Sequence, residues 1–185
     1  MYSLFSAVVA CYFLVTGYFV WQKNTRTDRS HIAFLVLCIT TFAWQATWAV
    51  LFQVSDPELS HLLARTGYLL IIFLPTSLYQ LLVEISQVSS ERRYVYFSYT
   101  VSLLLAITLL TTDLFVSGYY EYYWGHYPKA GLLHPIHILQ TTVVVMRGLY
   151  ITLKKQQTVS DPLRSILRCC KISVLIYFFA AADYL

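Results

Sequence analysis

The chain has 185 residues, 58% of them apolar and 12% charged, with a mean hydropathy of +0.59. A soluble domain carries about 25% charged residues, and a surface so poor in charge would leave large apolar patches in water. These figures exclude a disordered chain, a coiled coil, a nucleic-acid binder and a water-soluble globule. They point to a single-domain integral membrane protein.

Cutting the sequence at its charged and turn-forming clusters leaves six apolar runs, at about 4–21, 32–52, 62–83, 94–110, 132–153 and 169–185. A hydrocarbon layer of about 30 Å takes about 20 helical residues, and backbone groups in lipid must be satisfied within the segment. The expected fold is therefore an all-α polytopic bundle of six spans. The alternating segments of an outer-membrane barrel are absent.

The first run has no basic leader and no small-residue cleavage site, so it reads as a retained span. In the second, Trp44 and Trp48 are spaced to lie on one helix face, near Thr41 and Gln45. They read either as packing or as one wall of an amphipathic pocket. The third carries Arg65 near one end, with Tyr68 a turn further along the same face. It also holds Pro75 at its middle, which loosens a helix, and Glu84 at the other end, within reach of Arg92, Arg93 or Arg147.

After the fourth run comes the most unusual segment, DLFVSGYYEYYWGHYPKAGLLHPIH, from Asp113 to His137. Its rings, Trp124 and Tyr127 among them, surround Glu121 and His126. Each ring alone suits an interfacial aromatic belt; the segment as a whole suits a structured lid. His134 and His137 open the fifth run one turn apart, with Pro135 between them fitting a first helical turn. No carboxylate or thiol stands at a fixed helical offset to complete a metal site, so interfacial hydrogen bonding is the expected role, and no metal or cofactor is expected.

The sixth run is short. From Ile172, past the last basic residue, 14 residues remain, about 21 Å of helix. The expectation is an N-terminal fragment of a longer protein; the alternative is a short, tilted last helix in a six-span protein. Asp183 falls at about the depth of Arg65, which suggests an Arg65–Asp183 pair or two separately snorkelling residues.

Ten of the thirteen basic residues lie in the odd-numbered connections: Lys23, Arg26, Arg29, Arg92, Arg93, Lys154, Lys155, Arg164, Arg168 and Lys171. Basic connections stay cytoplasmic, so the N-terminus is expected outside, with the aromatic segment on the outer face. The four cysteines follow no disulfide or zinc spacing. Cys169 and Cys170 are weak acylation candidates. No catalytic signature, phosphate loop or internal repeat is present.

The tryptophan-containing second run, the VSDPELSHLLAR connection, the TGYLLIIFLPTSLYQL third run and the Gly-Tyr-Tyr…Trp…Tyr-Pro segment together resemble the N-terminal seven-transmembrane sensory region of bacterial histidine kinases. This group includes the membrane input domains of autoinducer sensor kinases. The resemblance implies a bacterial inner-membrane domain that perceives a small, amphipathic signal from the outer side. It would feed a cytoplasmic histidine kinase or cyclic-dinucleotide enzyme, a module this chain does not contain, so the chain itself is not expected to be an enzyme. Carried over residue by residue, it makes Trp44, Trp48, Arg65, Tyr68, Trp124, His126, Tyr127 and Asp183 the candidate ligand contacts. The expected partners are the lipid bilayer and that signal. A homodimer is compatible, although no small-residue stripe marks one. A small transporter or permease-like protein is the alternative, and a membrane enzyme built on His126, His134 and His137 is a third reading.

Overall fold

The computed structural model describes residues 2–23, 28–122 and 125–181, and the side chains of 3–175 within those ranges. Six α-helices run in order: α1 (Tyr2–Lys23), α2 (Arg29–Leu51), α3 (Pro57–Ser86), α4 (Arg92–Thr111), α5 (His134–Gln156) and α6 (Asp161–Ala181). A 3₁₀ turn, Ser89–Glu91, precedes α4.

Local chemistry sets the helix starts. Asp28 caps α2 by accepting from the His31 backbone N–H at 2.9 Å, and Asp56 caps α3 through Leu59 N–H at 2.8 Å. Pro57 follows that second cap as the first helical residue, where its missing N–H costs nothing. α3 stops at Gln87, which adopts the left-handed conformation (φ 56°) and returns its N–H to the helix end.

Three expected boundaries change. The third helix begins at Pro57 and not near 62, because the Asp56 cap and Pro57 nucleate it earlier. Its 30 residues make about 45 Å of helix, well beyond the hydrocarbon thickness. The sixth helix begins at Asp161 and not near 169, so Arg164, Arg168 and Lys171 are helical. The aromatic segment is not a loop, and the fold is not purely helical. Val116–Tyr122 (β1) and Gly125–Ala130 (β2) form an antiparallel hairpin that pairs Tyr120 with Tyr127 and Glu121 with His126. Tyrosine-rich, alternating sequence favours a pleated surface, and Gly118 and Gly125 take positive φ values of 152° and 130° that other residues resist.

Five helices among the described residues are long and apolar enough to cross a membrane: α1 to α3, α4 with its preceding turn, and α5. Their outward faces carry large exposed apolar residues, such as Leu4, Phe5 and Val8 on α1 and Leu103, Leu104 and Leu110 on α4. Such faces are compatible with membrane insertion.

α3 is the buried axis of the bundle. It packs on α2, α4 and α5, and the hairpin leans on its first turns. Two apolar cores lie along it. One, at the hairpin end, gathers Trp48, Tyr68, Ile72, Leu109 and Phe115. The other, toward the basic end, gathers Tyr79, Leu82, Val83, Val95, Val144 and Val174. α5 approaches α3 closely because Gly148 faces Leu82; a Cβ there would lie 2.6 Å from a Leu82 methyl.

Candidate functional site

The hairpin is tied down at its base by main-chain bonds. Gly131 N–H donates to Phe115 O and Leu133 N–H to Leu114 O, both at 2.9 Å. This drives the Phe115 ring, fully buried, into the end of the bundle. Around it the rings meet edge to face. Tyr68 lies 6.0 Å from Phe115 and 5.9 Å from His134, while Phe115 stands 5.5 Å from His134 and 6.0 Å from His137.

Trp48 forms the opposite side of this cluster. It is 3% exposed, stacks on Phe52 at 5.6 Å and on the hairpin's Tyr127 at 6.0 Å, and meets Tyr68 edge-on at 6.4 Å. Trp44 packs partly buried against the same core. On the flank of the hairpin, Tyr119 stacks flat on His61 at 3.6 Å, and His126 stands edge-on to His61 at 5.4 Å. At the tip, a cavity of about 270 Å³ opens between the α2–α3 connection and the hairpin, lined by Gln53, Ser55, Glu121 and His126 among others.

The folded chain thus unites Trp48, Tyr68 and Tyr127, with Trp44 and His126 at the margins. Arg65 lies on the flank of the cluster, beside the Tyr119 side chain. Its guanidinium is bonded to Asp113, an exposed partner beyond α4; the expected Arg65–Asp183 pair lies outside the described residues. Asp113 follows α4 directly, and the long α3 lifts Arg65 to its level. Trp124 and Asp183 lie outside the described residues.

Neither family models, curated proteins nor solved structures give a match to this chain.

The histidines at the start of α5 occupy a different place from the expected interfacial one. His134 and His137 are 7% and 4% exposed, because the Tyr68 and Phe115 rings pack over the first turn of α5. Among the described residues, no three His, Cys, Asp or Glu side chains stand together as a metal site. His61, Phe115 and Tyr119 join the cluster without having been singled out from the sequence. Only the hairpin register brings Tyr119 over α3, and a lone phenylalanine in an apolar stretch gives no signal of its own.

The polar atoms of this region are unusually short of partners. Among the described residues, eight buried side-chain atoms have no hydrogen-bond partner: Trp44 Nε1, Trp48 Nε1, His126 Nδ1, His134 Nδ1, His137 Nδ1, Gln140 Oε1, Thr141 Oγ1 and Ser86 Oγ. All except Ser86 lie in the hairpin half of the molecule. Buried polar groups are overwhelmingly paired in folded proteins, so their concentration here is informative.

Deeper in the bundle the polar groups are joined. The Gln140 side-chain amide nitrogen reaches Ser98 O at 2.9 Å, Ser98 Oγ at 3.0 Å, Ser102 Oγ at 2.9 Å and Thr76 Oγ1 at 3.4 Å. At the basic end, ion pairs clamp the helices. Glu84 receives Arg92 in a two-pronged bond (2.8 and 3.0 Å), which selects one of its three expected partners. Glu91 receives Arg147 at 2.5 and 3.0 Å and Tyr79 Oη at 2.6 Å. The Arg147 guanidinium also rests 4.0 Å from the centre of the Tyr94 ring.

Proposed function

We propose that the chain is the membrane-embedded input domain of a signal-transduction protein, taking a small amphipathic ligand under the hairpin. One observation supports the reading above the rest: five unpartnered buried nitrogen atoms, of Trp44, Trp48, His126, His134 and His137, gathered at the aromatic end of the bundle. The two indole N–H groups of Trp44 and Trp48 can only donate. They call for a ligand that carries hydrogen-bond acceptors on an apolar frame. The histidines and Gln140 supply groups for a second polar point on the same ligand, and the rings supply apolar contact, as small-molecule sites commonly do.

The hairpin end is taken as the outer one because the basic residues gather at the other. The sixth helix is read as a further span, and the membrane as a bacterial inner membrane. Binding would favour one packing of the helices over another, and only a difference in affinity between the two could send a signal. The receiver would be a cytoplasmic kinase or cyclic-dinucleotide module supplied by a longer chain or a partner.

The test uses the protein in lipid nanodiscs, with an organic extract of conditioned bacterial medium as probe. The extract is expected to raise the thermal unfolding midpoint. Trp48→Phe keeps the stacking and removes the N–H. It should fold normally and bind about 2–10-fold more weakly, as the loss of one hydrogen bond implies. Solute uptake into proteoliposomes without any thermal shift would sink the input-domain reading in favour of transport.

A further inference from the structure

The oxygen atoms around Gln140 outnumber what its amide can bond. One nitrogen with two N–H groups faces four acceptors at 2.9–3.4 Å, contributed by α3 (Thr76) and α4 (Ser98 and Ser102). Two of them can be served well at a time. The amide oxygen, also buried, has no well-formed hydrogen bond among the described residues, the His137 side chain lying against it one turn earlier. The hydroxyls are themselves interchangeable. Thr76 Oγ1 lies 2.6 Å from Ser98 Oγ and 3.2 Å from Ser102 Oγ, and either member of each pair can donate. Several bonding patterns of similar quality therefore exist for one set of side chains.

This knot stands where α3 is weakest. Pro75 has no N–H to give, so the carbonyl a turn earlier loses its helical partner. Hydroxyls bond the carbonyls on either side of this break: Ser102 donates to Ile72 O at 3.0 Å, and Ser77 donates to Leu74 O at 2.8 Å. Ser102 is thus shared between the loosened backbone of α3 and the amide of α5. A change in the bend of α3 must change what Ser102 offers Gln140, and the reverse also holds.

We propose that Gln140 is an exchangeable joint between α3, α4 and α5, passing between alternative acceptor sets as α3 flexes at Pro75. The joint lies between the aromatic core at the hairpin end and the apolar layer that leads to the Glu91–Arg147 clamp. It gives the bundle two packings of similar stability, the element any switching membrane protein needs. The inference is independent of the signal-sensing reading and requires no ligand to test.

The measurement is methyl relaxation dispersion on the full chain in nanodiscs, which detects microsecond-to-millisecond exchange. The probes are the methyl groups of Ile72, Val95 and Val144, buried close to the joint along α3, α4 and α5. Exchange is expected at all three in the unmodified protein, and its loss in Gln140→Leu. Ser102→Ala removes the hydroxyl shared by Ile72 O and the Gln140 amide with little change in volume and is expected to abolish the same exchange, which covers the case in which Gln140→Leu does not fold. Flat dispersion profiles in the unmodified protein, or exchange that persists in a folded variant, would overturn the proposal.

Discussion

At the scale of single residues, the candidate site depends on small groups that let large ones close in. Gly131 is the clearest case. A Cβ there would collide with the Leu114 carbonyl oxygen and come within 2.7 and 2.9 Å of the carbonyl carbons of Leu114 and Phe115. Those are backbone atoms at the hairpin base, so nothing can swing aside. Gly131→Ala should cost about 1–3 kcal/mol, in the range of overpacked sites. It should also loosen Phe115 from the aromatic cluster, which amide hydrogen exchange at Gly131 and Leu133 will register as lost protection. Part of this site was legible in sequence: Trp48 and Tyr68 follow from helical spacing, and Tyr127 from the density of rings. The burial of His134 and His137 was not. Spacing puts them at a helix start, and only the packing of Tyr68 and Phe115 over that turn buries them.

At the scale of elements, apolar runs cut by charge are enough to find the helices, because each span must satisfy its backbone alone. They say less about where helices begin, which is decided by caps. Asp56 with Pro57 carries α3 outward by more than a turn, and that overhang supports the hairpin. The strands were illegible for a related reason. A segment of tyrosines interrupted by glycines reads equally as a belt, and its pairing depends on a surface to lean on.

Asp28 offers a direct test of capping. Its carboxyl is held down to about 2, first by the His31 backbone N–H, then by the Ser30 hydroxyl and the His31 ring. A carboxyl lowered on folding stabilises above its unfolded value of about 3.9; that contribution is lost as pH falls toward 2. The His31 amide resonance should therefore titrate with a midpoint near 2. Asp28→Asn, which keeps an acceptor but no titratable group, should abolish the transition.

At the scale of the whole molecule, charge and chemistry are divided between two ends. Lys23, Arg92, Lys154 and Lys155 stand at helix termini opposite the hairpin, and in the proposed orientation that end is cytoplasmic. The chain's own cysteines make this testable with a membrane-impermeant maleimide. Cys169 is exposed near the basic end, whereas Cys11 is exposed on α1, midway between its ends, where lipid would keep a water-borne reagent away. A further thiol, introduced as Ser117→Cys on the exposed hairpin, reports the other end. In intact spheroplasts the hairpin thiol is expected to react at once, Cys169 only after permeabilisation, and Cys11 in neither condition. Rapid labelling of Cys169 in intact spheroplasts, with a protected hairpin, would invert the molecule. The aromatic cluster would then open to the cytoplasm, and an external signal could reach it only by first crossing the membrane.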